Sequence, residues 1–186
     1  CQFSGDLPVL SYLDHGAALV LEECGFTLRS SQALVQRFLG ALSEEGIRSH
    51  EAAARQLYAL VREMWERLRS ELRKAASPGE GDVQGWILEE FRRRALVGEP
   101  APVVAAGVHS ADPHYEPPAS GGERLAAGQV LLLDLWARED RPGSVYADIT
   151  WVGVLAAKPQ PEQEKAFSAV AGARDAGLSF IAESLA

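Results

Sequence analysis

The chain has 186 residues, 47% hydrophobic and 24% charged, with a formal net charge of −8. This is the make-up of a globular chain of one domain, or of one domain with a piece of another, and it excludes a disordered or fibrous protein. The acidic balance argues against a nucleic-acid partner and against a polybasic membrane patch.

No stretch reaches the roughly 18 apolar residues of a membrane span, and no basic-then-apolar leader is evident. Cys1 and Cys24 match no metal-ligand spacing and read as free thiols of a reducing compartment. A cytoplasmic location is therefore expected.

Taken in chain order, residues 1–46 read as a short α/β segment, too small to close on itself and resembling the end of something larger. Leu7 to Leu13 suits a strand, and Gly16 to Glu23 a helix stopped by Gly25. Phe26 to Arg29 suits a second strand. Ser30 or Ser31 then caps a helix to about Leu42. His15, between Asp14 and Gly16, reads as a turn residue.

Ser49 to Lys74 is the clearest helix. Leu57, Leu60, Val61, Met64, Trp65, Leu68 and Leu72 make one apolar stripe, and charged residues fill the other face. His50 near its start reads as a surface or capping residue. Ser77-Pro78-Gly79 breaks this helix, and a second runs from about Asp82, as N-cap, to Ala95, with Val83, Ile87 and Phe91 inward.

After Pro100 the pattern becomes strand-like. Val103 to Val108 is a small-residue strand, Asp112 to Ser120 a polar loop with three prolines, and Gln129 to Arg138 a strongly apolar strand. Pro142-Gly143 marks a turn before a strand over Val145 to Val154. From Pro161 the chain is helical, with Phe167, Val170, Leu178 and Ile181 on one side.

The chemistry concentrates on two aspartates. Asp134 interrupts the run Val130-Leu131-Leu132-Leu133-Asp134-Leu135-Trp136. A strand apolar on both faces is expected to be buried on both. A carboxylate there is costly unless it is paired, hydrogen-bonded or bound to a metal. Asp148 repeats the oddity in Tyr146-Ala147-Asp148-Ile149-Thr150-Trp151.

A hairpin joins these strands. Setting Asp134 directly opposite Asp148 leaves about five loop residues, a common length, and brings the carboxylates to roughly 5 Å. A cation between them would remove their repulsion. An edge or turn role, or one protonated carboxyl bonding the other, explains the same pattern. His109 and His114 lie in the irregular stretch leading into the hairpin, where loops on a rigid sheet carry function. No glycine-rich phosphate loop is present.

These residues bear a family resemblance. Ser110-Ala111-Asp112-Pro113-His114-Tyr115-Glu116-Pro117 resembles the His-Tyr loop of the aminopeptidase P, prolidase and creatinase superfamily. Gly128 to Asp134 is similar to its strand ending in the first metal aspartate, and Tyr146 to Trp151 to the strand carrying the second. The helices around Ser77-Pro78-Gly79-Glu80 resemble its opening helical pair, and Val9 to Phe38 the end of the domain before it.

The resemblance implies a partial pita-bread fold of the α/β (α+β) class, an antiparallel sheet flanked by helices. Residues 1–46 would be a C-terminal remnant of a creatinase-type N-terminal domain, and 47–186 the first part of the catalytic domain. It implies two divalent metal ions, manganese, cobalt or zinc, acting on a peptide with proline in its second position. Asp134 would chelate or bridge, Asp148 would bridge both metals, and His114 would be the substrate-side catalytic histidine. A homodimer is compatible with the family.

The sequence departs from the family pattern in three ways. The aspartate spacing is longer than usual, and Trp136 and Trp151 stand where smaller or basic residues are common. The family's His and two Glu ligands come later than any motif here, so the 186-residue chain alone is expected to be inactive and to leave an apolar sheet edge open. A non-catalytic pita-bread binding module and a creatinase-like hydrolase are the alternatives.

Overall fold

The computed structural model describes residues 13–185. The chain divides into two compact units, one ending at Ile47 and the other beginning at Arg48. The strand expected over Leu7 to Leu13 falls almost wholly outside the described residues.

In the first unit, α1 spans His15–Glu23. Asp14 caps it, its Oδ1 accepting the Ala17 N–H at 3.0 Å. His15 is thus the first helical residue and not part of a turn. Gly25, at φ +86°, ends the helix as expected, and the Phe26 N–H reaches back to the Leu21 carbonyl. Phe26 to Arg29 is not a strand: its β-prone residues pair with no other segment among the described residues. The next helix, α2, spans Gln32–Leu39, with the Ser30 Oγ accepting the Gln32 N–H. It stops at Gly40, short of the expected Leu42.

Helix α3 spans Glu44–Arg73 and starts five residues earlier than the apolar stripe suggests. Ser43 sets that start, because its Oγ accepts the Gly46 N–H at 3.1 Å. Helix α4 spans Glu80–Arg93, so Asp82 is its third residue and not its cap. The Asp82 carboxylate instead reaches back to the Gly79 N–H at 2.8 Å and across to the Gly121 N–H at 3.1 Å.

Four strands follow: β1 (Leu96–Val97), β2 (Val103–Ala106), β3 (Val130–Glu139) and β4 (Ala147–Val154). β3 pairs antiparallel with each of the other three. A 3₁₀ turn over Gly107–Ala111 follows β2.

One face of β3 makes the core. Leu131, Leu133, Leu135 and Ala137 are fully buried with Leu57, Leu60, Val61, Met64 and Leu68 of α3 and Val83, Ile87 and Phe91 of α4. The stripes expected from helical spacing therefore face inward, with Trp65 and Leu72 at the margin. Gly153 on β4 is needed for this packing: a Cβ there would lie 2.7 Å from the Trp65 ring.

The opposite face of β3 is not closed. Val130, Leu132, Asp134, Trp136 and Arg138 are half-buried, contrary to the expectation of burial on both faces. Helix α5 spans Pro161–Ser184 with proline at its start. None of its residues is buried, and Phe167, Val170, Leu178 and Ile181 are exposed. No helix among the described residues is long and apolar enough to cross a membrane.

Candidate functional site

The period of two along β3 places Asp134 on the half-open face. The hairpin register differs from the expected one. Asp134 lies opposite Thr150, and Asp148 opposite Trp136. The two aspartates are therefore diagonal neighbours, about 7–8 Å apart at their backbones, and not a facing pair. The shift is by two residues, so both remain on the same face.

The shift has identifiable causes. β3 outruns its hairpin partner, and Arg138 and Glu139 pair with β1 instead. Helix α3 holds the entry to β4: Ser49 Oγ accepts the Val145 N–H at 3.1 Å, and the His50 Nδ1–H donates to the Tyr146 carbonyl at 2.7 Å. His50 is thus exposed yet holds a strand in place. Within the turn, the Ser144 hydroxyl donates to the Glu139 carbonyl.

The Thr150 hydroxyl donates to Asp134 Oδ1, which steadies that carboxylate from the paired strand. Asp148 is held above the usual carboxylate range, first by desolvation and then by the negative charge of Asp134. The Ile149 N–H acts in the opposite direction. Two carboxylates of like charge on one sheet face are suited to share a cation. Their all-oxygen donor set suits a hard or intermediate divalent ion. Among the described residues, no group of three or more His, Cys, Asp or Glu side chains could hold a metal. The pair fits a metal centre as part of its ligand set.

Beside the pair is an open cavity of about 450 Å³. Its lining includes Val103, which lies opposite Asp134 on β2, and Trp136, which lies opposite Asp148. His114, Tyr115 and Pro117 line it from the proline-rich loop, and Gln84 from α4. His114 is exposed, and its backbone N–H donates to Asp112 Oδ1 at 2.9 Å. Asp134, Asp148 and His114 thus lie at or beside one face of the sheet.

Glu80 was not singled out by sequence. It is fully buried at the start of α4. Its Oε1 accepts the Ala106 N–H at 2.7 Å and the His109 Nδ1–H at 2.9 Å. Its Oε2 accepts the Glu123 N–H at 3.1 Å and the Tyr115 hydroxyl. Desolvation is the largest influence on Glu80 and raises its proton affinity, but the four hydrogen bonds, led by Tyr115, together hold the carboxyl below its ordinary range. Burial and the same Glu80 contact push the Tyr115 phenol up to about 12. The His109 and Tyr115 rings stack with centroids 4.1 Å apart. His109, open as a site candidate from sequence, is thus committed to Glu80.

Helix α4, the antiparallel β2–β3–β4 sheet and the half-open acidic face make up a partial pita-bread fold of the metallopeptidase type. The chain belongs to metallopeptidase family M24, whose family model matches residues 31–184. No curated protein matches the sequence.

Several solved structures share the fold. A prolidase from Thermococcus sibiricus matches with a TM-score of 0.59 and 17% identity, over 89% of this chain and 42% of that one. An X-Pro aminopeptidase from Thermotoga maritima MSB8 matches at 0.55 and 20%, over 88% and 44%. An X-prolyl aminopeptidase from Caenorhabditis elegans, described as a cytosolic enzyme with a di-nuclear active site, matches at 0.57 and 28%, over 69% and 21%. The chain spans less than half the length of each of these proteins.

Proposed function

We propose that this chain is part of a two-metal Xaa-Pro peptidase, in which residues 47–186 begin the catalytic domain and residues 1–46 end the domain before it. The observation that carries this reading is the Asp134–Asp148 pair on one face of the β3–β4 hairpin, where the charge of Asp134 helps raise the proton affinity of Asp148. The two carboxylates would hold the metals, Asp148 as the bridge. Two bound divalent cations would activate a water and polarise the scissile carbonyl. Manganese, cobalt and zinc remain the candidates, and the all-oxygen donors here favour manganese.

The protein's own groups have separate tasks. Thr150 orients Asp134 through its hydroxyl. Val103, Trp136 and Pro117 give the cavity apolar walls suited to a prolyl ring. His114 stands on the loop wall, where its ring can donate to the oxygen that gains charge in the transition state. A peptide is the partner; a cytoplasmic setting and a homodimer belong to the same reading. Two carboxylates are too few ligands for a catalytic metal, so the 186-residue chain alone is expected to be inactive.

The test is hydrolysis of an Xaa-Pro dipeptide by the intact protein with added manganese. Cleavage of Xaa-Pro over Xaa-Ala, with kcat falling about 100-fold in His114→Ala, is the expected result. Tight peptide binding without cleavage would instead select a binding module on the same scaffold.

A further inference from the structure

We propose that Glu80 and Tyr115 together position His114: the buried carboxylate holds the Tyr115 hydroxyl, and that tie fixes the loop wall on which His114 stands. The inference rests on the reading of His114 as a substrate-side residue and adds two residues that act through it.

The geometry supports a positioning role. One carboxylate gathers donors from the end of β2 (Ala106), the 3₁₀ turn (His109), the middle of the loop (Tyr115) and its far end (Glu123). The segment 112–120 is irregular and mostly exposed, so its own backbone does little to hold it. Tyr115 is half-buried, next in sequence to His114, and both line the cavity.

The loop also crosses the start of α4 at very close range. A Cβ on Gly81 would lie 2.1 Å from the Pro118 carbonyl oxygen. The chain is therefore packed closely on the start of α4, where Glu80 holds Tyr115 and Glu123 and the Asp82 carboxylate holds the Gly121 N–H. Freeing the phenol releases the bond that ties the residue next to His114 to the buried carboxylate, while the His114 N–H keeps its bond to Asp112 and Ala106, His109 and Glu123 keep Glu80 satisfied.

Tyr115→Phe is the decisive variant because it keeps the ring stacked on His109 and the carboxylate buried with three donors. Glu80→Gln is the second variant, read only if it folds. In the intact, manganese-loaded protein acting on an Xaa-Pro dipeptide, Tyr115→Phe should lower kcat about ten-fold and leave KM within about two-fold. In a His114→Ala background the same substitution should change kcat less than about two-fold. Equal losses in both backgrounds would overturn the proposal, since a purely structural role adds to any other defect.

A second readout does not depend on catalysis. Histidine ring resonances should move or broaden for His114 in Tyr115→Phe while those of His15 and His50 stay in place. An unmoved His114 signal in a folded variant would overturn the positioning role. Absence of peptide cleavage by the wild-type protein would instead count against the proposed function, leaving the resonance result to decide this inference.

Discussion

Glu80 and the Asp134–Asp148 pair are two opposite ways of keeping a carboxylate in a folded protein. Glu80 is fully buried, and four donors hold it ionised. The aspartates lie on a half-open face with one hydroxyl donor to Asp134 and one backbone donor to Asp148, and the second is pushed toward protonation. Satisfied burial makes a scaffold. An acidic pair short of donors, close to a cavity, leaves coordination capacity for something else. The same division runs through β3, whose one face is core and whose other face is half-buried and carries Asp134.

The largest effect should come from Glu80→Ala. It would strand two backbone N–H groups, an imidazole and a phenol, and should cost about 3 kcal/mol or more. For a chain of this size that is a fall in Tm of about 6–12 °C by calorimetry. A loss under about 1 kcal/mol would end the contrast with the aspartates.

Acid should then separate the two carboxylate types. The folded Glu80 pKa lies below its ordinary value of 4.5. Its contribution is complete above that value and is lost as pH falls through the folded pKa. Asp148 has the opposite sign, since its raised pKa makes protonation favour the folded state as pH falls. Acid unfolding should therefore be blunted below about pH 4.5 in Glu80→Gln relative to wild type, and it should not be blunted in Asp148→Asn.

The smallest effect is also the most diagnostic in sign. In metal-free protein, Asp148→Asn removes a repulsion between exposed or half-exposed groups and should stabilise by a few tenths of a kcal/mol. Destabilisation without metal would show that Asp148 is a structural residue.

The elements were legible in the sequence, but their tertiary ties were not. The apolar run of β3 and the helical stripes of α3 and α4 are local signals that marked the elements, and the family resemblance of the His-Tyr loop and the two aspartate strands implied the partial pita-bread fold that the structure shares. The hairpin register was not legible, because it is set by β1 and by Ser49 and His50, far away in sequence. Phe26 to Arg29 had strand propensity but joins no sheet among the described residues, and propensity alone makes no strand.

Glu80 was hidden for a related reason. An acid in a first helical turn is the ordinary exposed choice, and only the fold of residues 106–123 surrounds it with donors. A buried acid has no local pattern, whereas an acid inside an apolar strand does.

The central claim is that Asp134 and Asp148 are metal ligands. Its most direct test is the manganese content of the intact protein, measured by elemental analysis after dialysis, for wild type and Asp148→Ala. The account predicts about two ions per chain in wild type and a loss of at least one in the variant, with the fold retained. Equal metal content in the two proteins would contradict it.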